Sequence, residues 1–85
     1  MNIGSPPWYV TEGQRGERLL EQGQVDEARA LFERMLARLG ETPSFAQATA
    51  LGRMARCWHA AGRLDRAEPY LRQALDASTS ATSTA

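Results

Sequence analysis

The chain has 85 residues, which is enough for one small domain and too short for a catalytic domain joined to a regulatory one. Its hydrophobic content of 42% supports a core, but a chain of this length buries only about 60 to 65% of its unfolded surface, so we expect modest stability. Ten basic and ten acidic residues give a formal net charge of zero. Because nucleic acids and anionic membranes attract strongly basic domains, this balance disfavours both as partners.

Signals for export, membrane insertion and crosslinking are missing from the sequence. No stretch approaches the roughly 20 apolar residues of a membrane span. Met1–Val10 lacks the charged start and long apolar run of a secretion signal, so we expect a cytoplasmic protein. The single cysteine, Cys57, cannot form an internal disulfide or a cysteine-cluster zinc site.

The sequence repeats itself at an offset of 39 residues, so that segment 23–36 aligns with segment 62–75. Glycine, aspartate, alanine and leucine recur in register between the two segments. The apolar positions also match, as in the pairs Val25 with Leu64, Leu31 with Tyr70, Phe32 with Leu71 and Met35 with Ala74. Self-similarity at such a period indicates a repeat architecture, and the shared apolar pattern predicts that both segments form helices with the same apolar face.

The first predicted helix covers residues 9–22 and has two candidate starts. A start near Trp8 suits the prolines that precede it, whereas Thr11 with a glutamine three residues later is a second possible cap. Gly13 and Gly16 each cost about 0.8 to 1 kcal/mol relative to alanine inside a helix. We favour the earlier start, with a frayed first turn.

The second predicted helix covers residues 26–39 and ends at Gly40 in a left-handed cap. Its apolar residues follow helical spacing and form one stripe: Ala28, Leu31, Phe32, Met35, Leu36 and Leu39.

The third predicted helix covers residues 45–61 and begins at a capping box, in which Ser44 caps an orphan amide and the side chain of Gln47 reaches back. It ends at Gly62. Its expected inward-facing residues are Phe45, Ala48, Leu51, Ala55 and Trp58.

The fourth predicted helix covers residues 66–77, with a second capping box formed by Asp65 and Glu68. Pro69 then lies in the first turn, where the loss of a backbone donor costs least. The Ser/Thr/Ala segment 78–85 has no apolar periodicity, and we expect it to be disordered.

These two helix pairs resemble tetratricopeptide repeats, which are antiparallel helix pairs that stack into a right-handed solenoid. The resemblance covers residues 9–77, with one repeat at 9–40 and the next at 44–77, preceded by an extension at 1–8. It rests on the small, bulky and glycine positions of the motif, which are Gly16, Leu19, Gly23, Ala28, Phe32, Met35 and Leu36, then Ala55, Trp58, Gly62, Ala67, Leu71, Ala74 and Leu75. It implies an all-α fold, a two-repeat α-solenoid.

The period departs from the common repeat of about 34 residues, because the segment 39–44 lengthens the connection between repeats. The usual early aromatic is also missing at Glu12. The longer period and the sequence of segment 62–75 resemble those of the kinesin light chain-type subclass.

The resemblance implies a noncatalytic module that binds a peptide or protein on its concave face and needs no cofactor. Its groove positions map onto Gln14, Glu17, Glu21, Arg53, Arg56 and His59. Arg53 and Arg56 can either hold a partner's carboxylate or pair inward with Glu17, and a solvated Glu17–Arg56 pair is the plainer alternative. Gly13 and Glu17 stand where chaperone-binding relatives carry the lysine and asparagine of a carboxylate clamp, so we expect no such clamp.

Enzymatic and metal chemistry find little support. Cys57 and His59 are two residues apart, and residues at that spacing on a helix do not face each other, so they form neither a catalytic dyad nor a metal site. The alternative function is homo-oligomerisation through exposed solenoid ends, for which the candidate residues are Tyr70, Leu71 and Leu75.

Overall fold

A computed structural model describes residues 6–82, and in that part of the chain the secondary structure is entirely helical. Each helix packs against the next one along the chain, and the first also contacts the third, as expected for two stacked helix pairs. The fold is the predicted all-α helical-repeat solenoid. The four helices are α1 (Trp8–Glu21), α2 (Val25–Leu39), α3 (Phe45–Ala60) and α4 (Leu64–Thr82).

The turns inside the two helix pairs are built alike. Gly23 and Gly62 have φ values of 78° and 77°, where a side chain would be strained. Each glycine amide donates to the carbonyl three residues earlier, and the following amide donates to the carbonyl five residues earlier. This is the paired hydrogen bonding of a Schellman cap, so the repeated glycines end α1 and α3 in the same way.

The start of α3 shows half of the predicted capping box. The Gln47 amide donates to Ser44 Oγ at 3.0 Å, as expected for a serine cap. The Gln47 side chain, however, does not return to Ser44. Its Nε2 donates to the Gly40 carbonyl oxygen at 3.0 Å instead, which ties the start of α3 to the end of α2.

The limits of α4 differ from the prediction at both ends. The helix begins at Leu64, so Asp65 lies inside it and does not cap it. The Asp65 carboxylate accepts hydrogen bonds from the Arg63 guanidinium instead. Pro69 therefore lies in the second turn, not the first. The expected disorder was wrong for residues 78–82, because α4 continues to Thr82, while residues 83–85 lie outside the described part. Small residues carry the core face onward, at Ala74, Ala77 and Ala81.

The core lies between α2 and α3, where Phe32, Met54 and Cys57 are fully buried. Trp58, expected in the core, is half-buried at its edge. The guanidinium of Arg29, on α2 of the first repeat, lies 4.5 Å from the Trp58 ring centroid, and that of Arg66, on α4, lies 5.1 Å from it. These contacts connect α2, α3 and α4 through one aromatic ring.

Phe45 is not inward-facing as predicted, since 60% of it is exposed. It lies seven residues before Gly52 and eleven before Arg56, which places all three on one side of α3, opposite the core. Its outward direction adds an aromatic ring to the surface of α3 that faces away from the core.

Candidate functional site

The predicted groove residues come from two helices that lie side by side, α1 and α3. We call this surface the α1–α3 groove. On α1, helical spacing aligns Val10, Gln14 and Glu17 on one face. The groove side of α3 carries Phe45, Thr49, Arg53, Arg56 and His59.

A three-residue charge cluster crosses the middle of the α1–α3 groove. Glu17 Oε1 lies 2.8 Å from Arg53 Nε and 2.8 Å from Arg56 Nη1. One carboxylate thus holds two guanidiniums, and the inward pairing that the sequence left open is formed. The cluster keeps one excess positive charge, and it divides the groove into two depressions.

The first depression is mainly apolar and has a volume of about 330 Å³. Its polar members are Gln14, Thr49 and Arg53. Its remaining lining is Tyr9, Val10, Met35, Phe45 and Ala46. Val10 is 38% exposed and Phe45 60% exposed, so large apolar side chains here face solvent.

The second depression, on the other side of the charge cluster, has a volume of about 260 Å³ and is lined by Leu20, Arg56, His59 and Ala60. The remaining predicted residue, Glu21, is exposed at the end of α1 and lines neither depression. Five of the six predicted groove residues are therefore brought together.

Gly13 makes the close approach of Arg53 possible. A Cβ atom at Gly13 would lie 2.6 Å from Arg53 Nη1, which is closer than such atoms come. The missing side chain lets the guanidinium lie against the α1 backbone while its Nε reaches Glu17. From the sequence, Gly13 was expected to weaken α1 and to lie in the groove, whereas its contact with Arg53 depends on how α3 packs against α1.

Cys57 and His59 lie in different surroundings. Cys57 is fully buried, and this burial raises the pKa of its thiol to about 11, against the opposing influence of the Arg29 and Arg56 charges. His59 is exposed and lines the second depression. Within residues 6–82, no cluster of three or more His, Cys, Asp or Glu side chains could hold a metal ion. Among the same residues, no helix has the length and apolar character to cross a membrane.

The helix pairs, their repeated glycine turns and the groove between first helices agree with a comparison against family models. The model described as "Tetratricopeptide repeat" matches residues 10–80. The chain belongs to the tetratricopeptide repeat family. No curated protein and no solved structure was found to match it. Tetratricopeptide repeats generally mediate protein–protein interaction and are typically noncatalytic.

The three residues predicted for self-association differ in exposure. Tyr70 is half-buried and packs against the core cluster, whereas Leu71 and Leu75 are exposed. Leu64, which the prediction did not include, is exposed as well.

Proposed function

We propose that this tetratricopeptide repeat protein binds a peptide segment in the α1–α3 groove, and that the segment carries an apolar side chain close to a carboxylate. The observation that carries the proposal is the position of the exposed Phe45 ring in a depression that Arg53 also lines. An apolar pocket with a few placed polar groups is the usual form of a recognition site.

The apolar half of the ligand would occupy the first depression. Tyr9, Val10 and Phe45 offer it two aromatic rings and a branched aliphatic side chain. Covering such surface is favourable by about 25 cal/mol for each Å² removed from water.

The acidic half of the ligand would contact Arg53 and Arg56. A guanidinium has five N–H donors. Arg56 Nη1 donates one hydrogen bond to Glu17 Oε1, and Arg53 Nε forms an ion pair with the same oxygen at 2.8 Å. The remaining donors and the excess positive charge favour a carboxylate that lies beside Glu17. The ligand therefore adds to the existing cluster without having to break it.

The kinesin light chain-type subclass remains part of this proposal. It is supported by the 39-residue offset and by the Ser44 cap that follows the lengthened connection between α2 and α3.

The test is selection of random peptides displayed on phage against the purified protein, followed by affinity measurement for the selected peptides. We expect them to share an aromatic or aliphatic residue within about three positions of Asp, Glu or the carboxyl terminus. Their amide NMR perturbations should centre on Val10, Gln14, Phe45 and Arg53.

Two variants and a matched control identify the site. Arg53→Glu with Arg56→Glu should abolish binding, and Phe45→Ser should weaken it at least tenfold. Arg15→Glu with Arg34→Glu makes the same change in net charge at exposed residues away from the groove, and it should leave binding intact. Equal binding by the arginine-reversed protein would reject the groove assignment.

A further inference from the structure

Three exposed leucines of α4 form a stripe beside its core-facing side. Leu64, Leu71 and Leu75 are 61%, 51% and 69% exposed. Their spacings of seven and four residues place them on one face of the helix. We call them the α4 stripe. The stripe is separate from the α1–α3 groove and takes no part in the function proposed above.

The internal repeat shows what such a stripe does when it is covered. At an offset of 39 residues, the α4 stripe corresponds to Val25, Phe32 and Leu36 of α2. Phe32 is fully buried, and the other two are half-buried against the core cluster. The helix that packs on α2 from the next repeat is α3. The α4 stripe thus has the composition of a helix-packing surface.

The opposite end of the solenoid has the opposite character. The residues of α3 that join the core cluster with α2 are Ala50, Met54 and Cys57, all fully buried. Their counterparts on α1, at the same offset, are Thr11, Arg15 and Arg18, all exposed. Packing this end of one molecule on the α4 stripe of another would bury two guanidiniums against leucines, which is strongly unfavourable. The two ends therefore do not fit each other head to tail.

We propose that the α4 stripe is a self-association surface, covered by the α4 stripe of a second copy in a two-fold, antiparallel helix pair. A surface that cannot pack on the other end of the molecule can still pack on itself, and such contacts close at two copies. The charges beside the stripe support this arrangement. Glu68 and Arg72 flank the leucines on the same side and pair with each other within the helix.

In an antiparallel helix pair, residues equally distant from the two-fold axis meet. An axis that crosses the α4 stripe at the level of residue 70, midway between Glu68 and Arg72, would therefore place each Glu68 opposite Arg72 of the second copy. Two symmetric ion pairs would then border the leucines. One helix on one helix is a small interface, below about 1,200 Å² in total, so the dimer should be weak and its population should depend on concentration in the micromolar range.

The test is sedimentation velocity of the full chain from about 1 μM to 1 mM, a range that spans the affinity expected for a small interface. We expect the weight-average mass to rise towards twice the monomer mass. Leu71→Glu with Leu75→Glu should keep the protein monomeric throughout, while far-UV circular dichroism stays unchanged because both side chains are exposed. If the double variant lost helicity, Leu75→Glu alone, at the most exposed position, would replace it.

Matched variants separate this arrangement from others. Phe45→Glu changes an equally exposed apolar residue in the groove and should leave the dimer intact. Glu68→Arg should weaken the dimer several-fold, and adding Arg72→Glu should restore it. A monomer at every concentration would overturn the proposal and favour a helix of another protein as the occupant. A dimer lost on Arg15→Glu would overturn it in favour of head-to-tail stacking.

Discussion

The Phe32 ring lies directly against the α1 backbone at Gly16, so that a Cβ atom at Gly16 would overlap Phe32 Cζ. Phe32 is fully buried, and its ring cannot move aside as a flexible side chain could. The contact between the two helices of the first repeat therefore depends on the absence of a side chain at this position.

Gly16→Ala should lower the free energy of unfolding by about 2 kcal/mol, although helix propensity alone favours alanine. Urea denaturation followed by circular dichroism measures the change. Gly52→Ala is the matched control, because Gly52 is also helical and nothing lies within 4 Å of its added Cβ. That variant should be more stable by about 0.5 to 1 kcal/mol.

A double substitution tests whether the ring is the cause. Phe32→Leu should make Gly16→Ala less harmful, giving a coupling energy of at least about 0.5 kcal/mol in the cycle. Additive effects of the two substitutions would show that the loss at Gly16 arises elsewhere.

Glu17→Gln should strengthen the binding of an acidic groove peptide by a few-fold. The substitution removes the carboxylate that contacts both Arg53 and Arg56 and competes for their donors. Its effect on stability should stay below about 1 kcal/mol, because partly exposed ion pairs contribute little. Isothermal titration at low and high salt checks this, and the gain should shrink as salt rises.

Glu21→Gln provides the control for that titration. It changes charge by the same amount on the same helix, and Glu21 pairs with neither groove arginine. If Glu21→Gln strengthened binding as much as Glu17→Gln, the effect would come from net charge and not from the cluster.

Cys57 should be unreactive in the folded protein and should make stability fall at high pH. Its pKa is raised from 9.0 to about 11, so the unfolded chain loses the thiol proton before the folded chain does. Between these values a rise in pH favours the unfolded state. A chromogenic disulfide reagent at pH 8 should label the thiol only after denaturation.

The pH dependence has its own control in Cys57→Ala, which removes the titrating group. The free energy of unfolding of the unsubstituted protein minus that of Cys57→Ala should be constant below pH 9 and should fall above it. Rapid labelling under native conditions would contradict the burial of this thiol.

Pro69→Ala should stabilise the protein by about 1 kcal/mol or more. Because α4 begins at Leu64, Pro69 lies beyond the first turn, and the Asp65 carbonyl lacks the amide that an alanine would supply. Thermal unfolding measures the gain. Pro43→Ala, in the connection before α3, should bring no gain, since no helical hydrogen bond is restored there.

The repeat offset and the glycine turns could be predicted from the sequence because they depend on local geometry. Gly23 and Gly62 end helices in a conformation that side chains disfavour, and Ser44 caps α3 through its own neighbouring amide. The five predicted residues that line the groove were also placed together, since family positions fix helix faces.

Features that depend on a second helix could not be predicted in this way. The close contact of Gly13 with Arg53 arises only when helices pack. Gly16, in contrast, was predicted as a small motif position where paired helices approach, and the structure adds that the Phe32 ring lies directly against it. Phe45 was assigned inward from its hydrophobicity, although its angular position already placed it with Arg56. The extension of α4 was missed because Ala77 and Ala81 are small, and small residues give a weak apolar pattern.

The molecule can be extended by further repeats in one direction, because α4 exposes leucines whereas α1 exposes Arg15 and Arg18. A repeat appended after α4 would find a surface ready to receive its first helix, whereas one placed before α1 would require both arginines to be replaced by apolar residues. Such an appended repeat would occupy the same leucines that a second copy would use. Lengthening the array and pairing two arrays are thus mutually exclusive uses of one helix face.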